Sequence, residues 1–125
     1  MSVKSFEDLK VWKASRVFVK EIYEMTMSGK FKNDFGLKDQ IQRAAVSVMN
    51  NIAEGFERDN NKEFIRFLRY SKGSAGEVRS LLYVAYDINY IEEDEFKNKF
   101  ESAIDIITQI ANFIKYLQKN RSFNN

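Results

Sequence analysis

NKEFIRFLRYSKGSAGEVRSLLYVAYDIN, residues 61–89, decides the fold. Phe64, Phe67, Leu68, Ser71, Ala75, Val78, Leu82 and Ala85 recur at the three-and-four spacing of a single helix face. Asn60 precedes the run and Glu63 follows three residues later, which fits a capped helix start. Midway sits SKGSAG, Ser71–Gly76. Its two glycines cost about 2 kcal/mol of helix propensity relative to alanine. Packing must recover that cost, and small residues allow it by letting a neighbouring helix come close. A ligand is the other candidate for that space.

Working outward, the same period covers most of the chain. Residues 35–57 place Leu37, Ile41, Ala44, Ala45, Val48 and Ile52 on one face. Residues 7–27 carry two neighbouring apolar stripes. One is Leu9, Trp12, Val19 and Tyr23; the other is Val11, Phe18, Ile22 and Met25. Ser5 with Asp8 fits a capping box for this helix, and Gly29 suits a left-handed helix end. Residues 93–120 line Phe96, Phe100, Ala103, Ile107, Ile110, Ile114 and Leu117 along one side. Acids in its first turn and Lys115, Lys119 and Arg121 near its end suit the helix dipole. Four amphipathic helices with short connections predict one domain over residues 1–125, an all-α, up-down-up-down antiparallel four-helix bundle.

Composition narrows the function. The chain has no His, Cys or Pro among its 125 residues. A hydrolytic triad lacks its usual base, and zinc lacks its usual ligands. The helical acids Glu54, Glu63, Glu77 and Glu101 leave only a carboxylate site for a hard cation. No Gly-rich loop follows a strand to cradle a phosphate. No enzymatic activity, metal or cofactor is expected. No apolar run is long enough to span a membrane, and MSVKSFEDLK lacks the apolar core of a signal peptide, so a cytoplasmic location is expected. Eleven Phe, six Tyr and one Trp exceed the needs of a minimal bundle. The surplus suits either a subunit interface or a bulky core.

Net charge is only +2, too little to imply nucleic acid by itself. Local placement says more. Lys62, Arg66 and Arg69 fall within about 60° of one another on a helical wheel, away from the apolar face. Arg58 extends the row, Lys72 and Arg79 flank it, and Tyr70 stands where it could stack on a base. Such a row suits a phosphate backbone, with little base specificity. An ordinary solvated face and salt bridging to another subunit are the competing readings. Arg43, Asn51 and Glu54 adjoin the small Ala44–Ala45 face, and a buried, paired polar network is expected there.

FEDLKVWKAS at Phe6–Ser15, GLKDQIQRAAVSVMNNIAEGFER at Gly36–Arg58, and the segment from Asn61 to Asp87 resemble the 23S rRNA intervening-sequence proteins. Members of that family are sometimes labelled S23 ribosomal protein. The shared positions include Trp12, Gln40, Arg43, Ala44, Ala45, Asn51, Glu54, Gly55, Phe64, Phe67, Gly73 and Glu77. Where family members often carry Pro before NIAEG, this chain has Met49. The resemblance implies a four-helix bundle assembled as a homopentamer. It extends to the accessory protein of diversity-generating retroelements, which binds nucleic acid and a reverse transcriptase. A non-catalytic oligomer binding RNA or DNA is the expected function. The alternative is a structural or adaptor oligomer with a protein partner.

Overall fold

The structure, a computed structural model, describes residues 3–120. They form four helices: α1 Lys10–Thr26, α2 Phe35–Glu57, α3 Asn61–Asp87 and α4 Glu93–Lys119. Short 3₁₀ turns, Phe6–Asp8 and Gly29–Asn33, precede α1 and α2. No strand occurs among the described residues.

Three hydrogen bonds reveal the helix directions. Gln42, early in α2, donates to Thr26 Oγ1 at the end of α1 (2.9 Å). Tyr90, just beyond α3, donates to Asp34 at the start of α2 (2.9 Å). Asn61, opening α3, donates to the Leu117 carbonyl near the end of α4 (3.2 Å). Each helix is therefore antiparallel to the next, and α1 packs back on α4 to close the circle. The all-α, up-down-up-down bundle is what the periodicity predicts.

Each break turns on one residue in the left-handed region: Gly29 (φ 60°), Asp59 (φ 55°) and Asn89 (φ 64°). After glycine, Asn and Asp enter this region most readily. At Asn89 the turn is a Schellman motif. The Asn89 N–H donates to the Tyr86 carbonyl (3.0 Å) and the Tyr90 N–H to the Ala85 carbonyl (2.8 Å). This stops α3 at Asp87, two residues before the boundary that periodicity suggests. Asn60 caps α3 by accepting the Glu63 N–H (3.0 Å). Asp34 caps α2 by accepting the Leu37 N–H (3.1 Å). At the first helix the Asp8 carboxylate accepts the N–H groups of Lys4 and Ser5 (3.0 and 3.2 Å). That box closes the 3₁₀ turn instead of α1. Leu9 is extended, and α1 starts at Lys10.

The core stripe expected of α3 is buried at all eight positions, and Leu81 joins it. Of the two stripes, the one through Val11, Phe18, Ile22 and Met25 enters the core, and Leu9 of the other is buried with it. Trp12 and Val19 flank it half-buried, and Tyr23 is exposed. On α2, Gly55 joins the buried face. A β-carbon there would stand 2.8 Å from Phe67 Cβ and 2.9 Å from Phe64 Cδ1. Helix α4 is rolled relative to expectation. Its buried line is Lys99, Ala103, Ile106, Ile110, Ile114 and Leu117, with Phe96, Phe100 and Ile107 only half-buried at its edge. That edge faces the side of α3 that carries Gly73 and Gly76.

Candidate nucleic-acid interface

Between α3 and α4 runs an open groove of about 620 Å³. Arg69, Lys72, Gly73, Gly76 and Arg79 contribute one side at helical spacing; Ile107, Ala111, Ile114, Lys115 and Gln118 contribute the other. A β-carbon on Gly73 or Gly76 would meet nothing within 4 Å. Among the described residues, the close helix approach expected at these glycines is therefore absent. They leave the groove wide because α4 passes to one side of them.

Among the described residues, four cations, Arg69, Lys72, Arg79 and Lys115, line the groove and no acid does. None of the four has an ion-pair partner among the described residues. Arg79 Nε is buried without a hydrogen-bond acceptor, and its guanidinium lies 5.2 Å from the centre of the Phe100 ring. That contact fixes the end of the arginine at the groove wall. Apolar walls beside uncompensated charge strengthen the field an incoming anion experiences.

The structure divides the predicted basic row. Arg69, Lys72 and Arg79 line the groove. Lys62 is exposed in the first turn of α3, outside it. Arg66 forms a two-pronged pair with Glu63 (3.1 and 2.8 Å) and donates to the Tyr70 hydroxyl (3.0 Å). The hydrogen bond from Arg66 holds the Glu63 carboxyl below its usual range. The same bond, aided by Tyr70, raises the pKa of the guanidinium. Arg58 pairs with Glu54 (2.9 Å). Both Arg58 and Arg66 lie against the Phe67 ring, at 4.7 and 4.9 Å. These pairs neutralise Arg58 and Arg66, while Lys62 has no ion-pair partner among the described residues. Tyr70 has both its hydroxyl and its ring engaged by Arg66.

The expected polar network is also differently composed. Arg43 is exposed and pairs with Asp39 (2.8 Å), and Glu54 is exposed beside Arg58. Neither is buried, because each lies one position round from the apolar face and has an opposite charge four residues away. Asn51 does take part. Its side chain donates to the carbonyl and the hydroxyl of Ser47 (2.9 Å each). Ser47 Oγ in turn meets Ser74 Oγ at 2.8 Å. Nearby, the buried Ser71 hydroxyl donates to the Val48 carbonyl (2.6 Å). The α2–α3 seam is thus sealed by serines. Lys115, read from sequence as part of a helix end, and Gln118 emerge as groove residues only when α4 is laid beside α3. Among the described residues, no group of three acidic side chains could hold a metal. No helix there is long and apolar enough to cross a membrane.

Residues 7–115 match the family described as 23S rRNA-intervening sequence protein. The chain belongs to that family. The fold is shared with a crystal structure from Bacteroides thetaiotaomicron VPI-5482, described as a protein with unknown function from the S23 ribosomal protein family. The two are 22% identical with a TM-score of 0.77, over 84% of this chain and 98% of the other. Among curated proteins, none matches this chain. Family membership and the shared fold account for the bundle. They leave the role of the α3–α4 groove to be argued from its chemistry.

Proposed function

We propose that this member of the 23S rRNA-intervening sequence family is a non-catalytic homo-oligomer that binds RNA or DNA through the α3–α4 groove. The observation that carries the proposal is the set of four cations that, among the described residues, face one groove with no ion-pair partner and no acid beside them. The polyanionic backbone of a nucleic acid is the ligand class that such a row matches. One copy contacts few phosphates. A ring, as the family resemblance implies, would repeat the groove on a single particle and raise affinity through effective concentration.

The test is binding of mixed-sequence RNA and DNA at low and raised salt. The natural protein is compared with an Arg69→Ala/Lys72→Ala/Lys115→Ala variant and with a Lys62→Ala/Arg66→Ala variant. The groove variant should lose most binding, and the salt slope should fall by about one for each phosphate contact removed. The outer-face variant should retain most of it. Absence of salt-sensitive binding by the natural protein, or undiminished binding by the groove variant, rejects the proposal.

A second reading, a structural or adaptor oligomer engaging a protein, has its own support in exposed apolar side chains. Phe35 is 73% exposed and Val17 57%, and Ile88 also faces outward. Light scattering at several concentrations gives the subunit number on which both readings depend.

A further inference from the structure

The basic groove continues into an aromatic shelf. Arg79 lines the groove and rests on Phe100. Phe100 meets Tyr83 edge-on at 5.7 Å, Tyr83 meets Phe96 at 5.1 Å, and Phe96 meets Tyr86 at 5.0 Å. Tyr83 is 50% exposed and Tyr86 36%. Arg69, Lys72, Gly76, Arg79, Tyr83 and Tyr86 follow one another at spacings of three and four, so they share a face of α3. From Arg69 to Tyr86 that face is about 25 Å long at the rise of an α-helix.

This order, cations followed by partly bare rings, distinguishes between nucleic acids. A duplex presents phosphates and keeps the faces of its bases stacked inside. A single strand presents both, and bases stack on aromatic side chains with little regard to sequence. Tyr70 cannot serve freely as the platform, because Arg66 occupies its ring and its hydroxyl. Tyr83 is backed by two phenylalanines that hold its ring in place.

We infer that the groove and the shelf together bind single-stranded nucleic acid, with phosphates along Arg69, Lys72, Arg79 and Lys115 and a base stacked on Tyr83. The inference rests on the proposed function and adds strandedness and a stacking residue to it.

The experiment titrates the full chain with labelled oligothymidylate and oligouridylate of about 12 nucleotides, a length within the range of single-strand sites. A mixed-sequence blunt duplex of the same length is the comparison. Natural protein, Tyr83→Ala, Tyr83→Phe and the groove variant are measured at low and raised salt, with circular dichroism to verify helicity. The single strands should bind about tenfold more tightly than the duplex. Tyr83→Ala should weaken single-strand binding by about tenfold, leaving duplex binding and the salt slope unchanged. Tyr83→Phe should bind like the natural protein.

Equal or tighter duplex binding overturns the inference, as does unchanged single-strand affinity in Tyr83→Ala. In either case, salt-sensitive binding that disappears in the groove variant would leave the broader proposal standing. A changed subunit number in Tyr83→Ala also overturns the inference, since the ring would then lie between copies. No binding of any strand by the natural protein defeats both proposals.

Discussion

At Gly55 the second helix lies so near the third that a β-carbon would stand 2.8 Å from Phe67 Cβ; at Gly73 and Gly76 a β-carbon would meet nothing within 4 Å. Three helical glycines thus serve two opposed purposes on the two sides of α3. The seam with α2 is closed. Ser71 and Ser74 reach across it, and Gly55 lets the backbones approach. The side towards α4 is open and charged. SKGSAG contributes to both, with its serines on one face and its glycines on the other. A glycine inside a helix has a cost in propensity wherever it stands. Close packing offsets the cost at Gly55. At Gly73 and Gly76 no close contact among the described residues does, which fits the proposed use of this surface by a ligand.

The sharpest way to break this comparison is Gly55→Ala. Overpacking of the seam should outweigh the gain in propensity and destabilise the protein by about 2 kcal/mol net. Urea unfolding would show it as a lower midpoint. A midpoint equal to or above that of the natural protein would mean the seam has slack. Gly73→Ala and Gly76→Ala should do the reverse. Each should stabilise by about 1 kcal/mol, measured by the same unfolding curves, while the raised groove floor weakens nucleic-acid binding. Loss of stability in either variant would place an unrecognised close contact at the groove.

The smallest expected effect lies at the far end of the closed seam, where Asp34 receives Leu37 N–H and the Tyr90 hydroxyl. The backbone bond, followed by the tyrosine, holds its carboxyl below the usual range. The same contact raises the Tyr90 phenol, with Asp34 the main cause. Because the Asp34 value is lower folded than unfolded, its contribution is present above about pH 4 and lost as pH falls through the folded value. Asp8 and Glu63 shift in the same direction, so the comparison must be with Asp34→Asn, a cap that does not titrate. The stability gap between the two proteins should narrow below about pH 4. A constant gap would show that the carboxylate charge contributes nothing there.

How much of this is legible in sequence differs from helix to helix. Every residue of the α3 stripe reads correctly because its inner face is uniformly apolar or small. On α4 the wheel is misled by Phe96 and Phe100. They count as apolar, yet they are used at the surface with Tyr83 and Tyr86, while Lys99 is tucked in at 8% exposure and pairs with Glu95. Charges are harder still. The partners of Arg66 and Arg43, Glu63 and Asp39, lie three and four residues earlier and could have been found by spacing. The groove could not, because Lys115 reaches Arg69 and Lys72 only through the roll of α4. Tyr83 carries no local signal at all; the stacking proposed for it follows from the rings behind it.

The three short breaks have a kinetic consequence. Helices consecutive in the chain are also neighbours in space, and the contact between α1 and α4 closes the bundle across the longest separation in sequence between packed helices. Little entropy is spent in closing loops before native contacts begin to form, and such topologies fold in microseconds to milliseconds. The chain can therefore reach its own shape from contacts made largely between neighbouring helices.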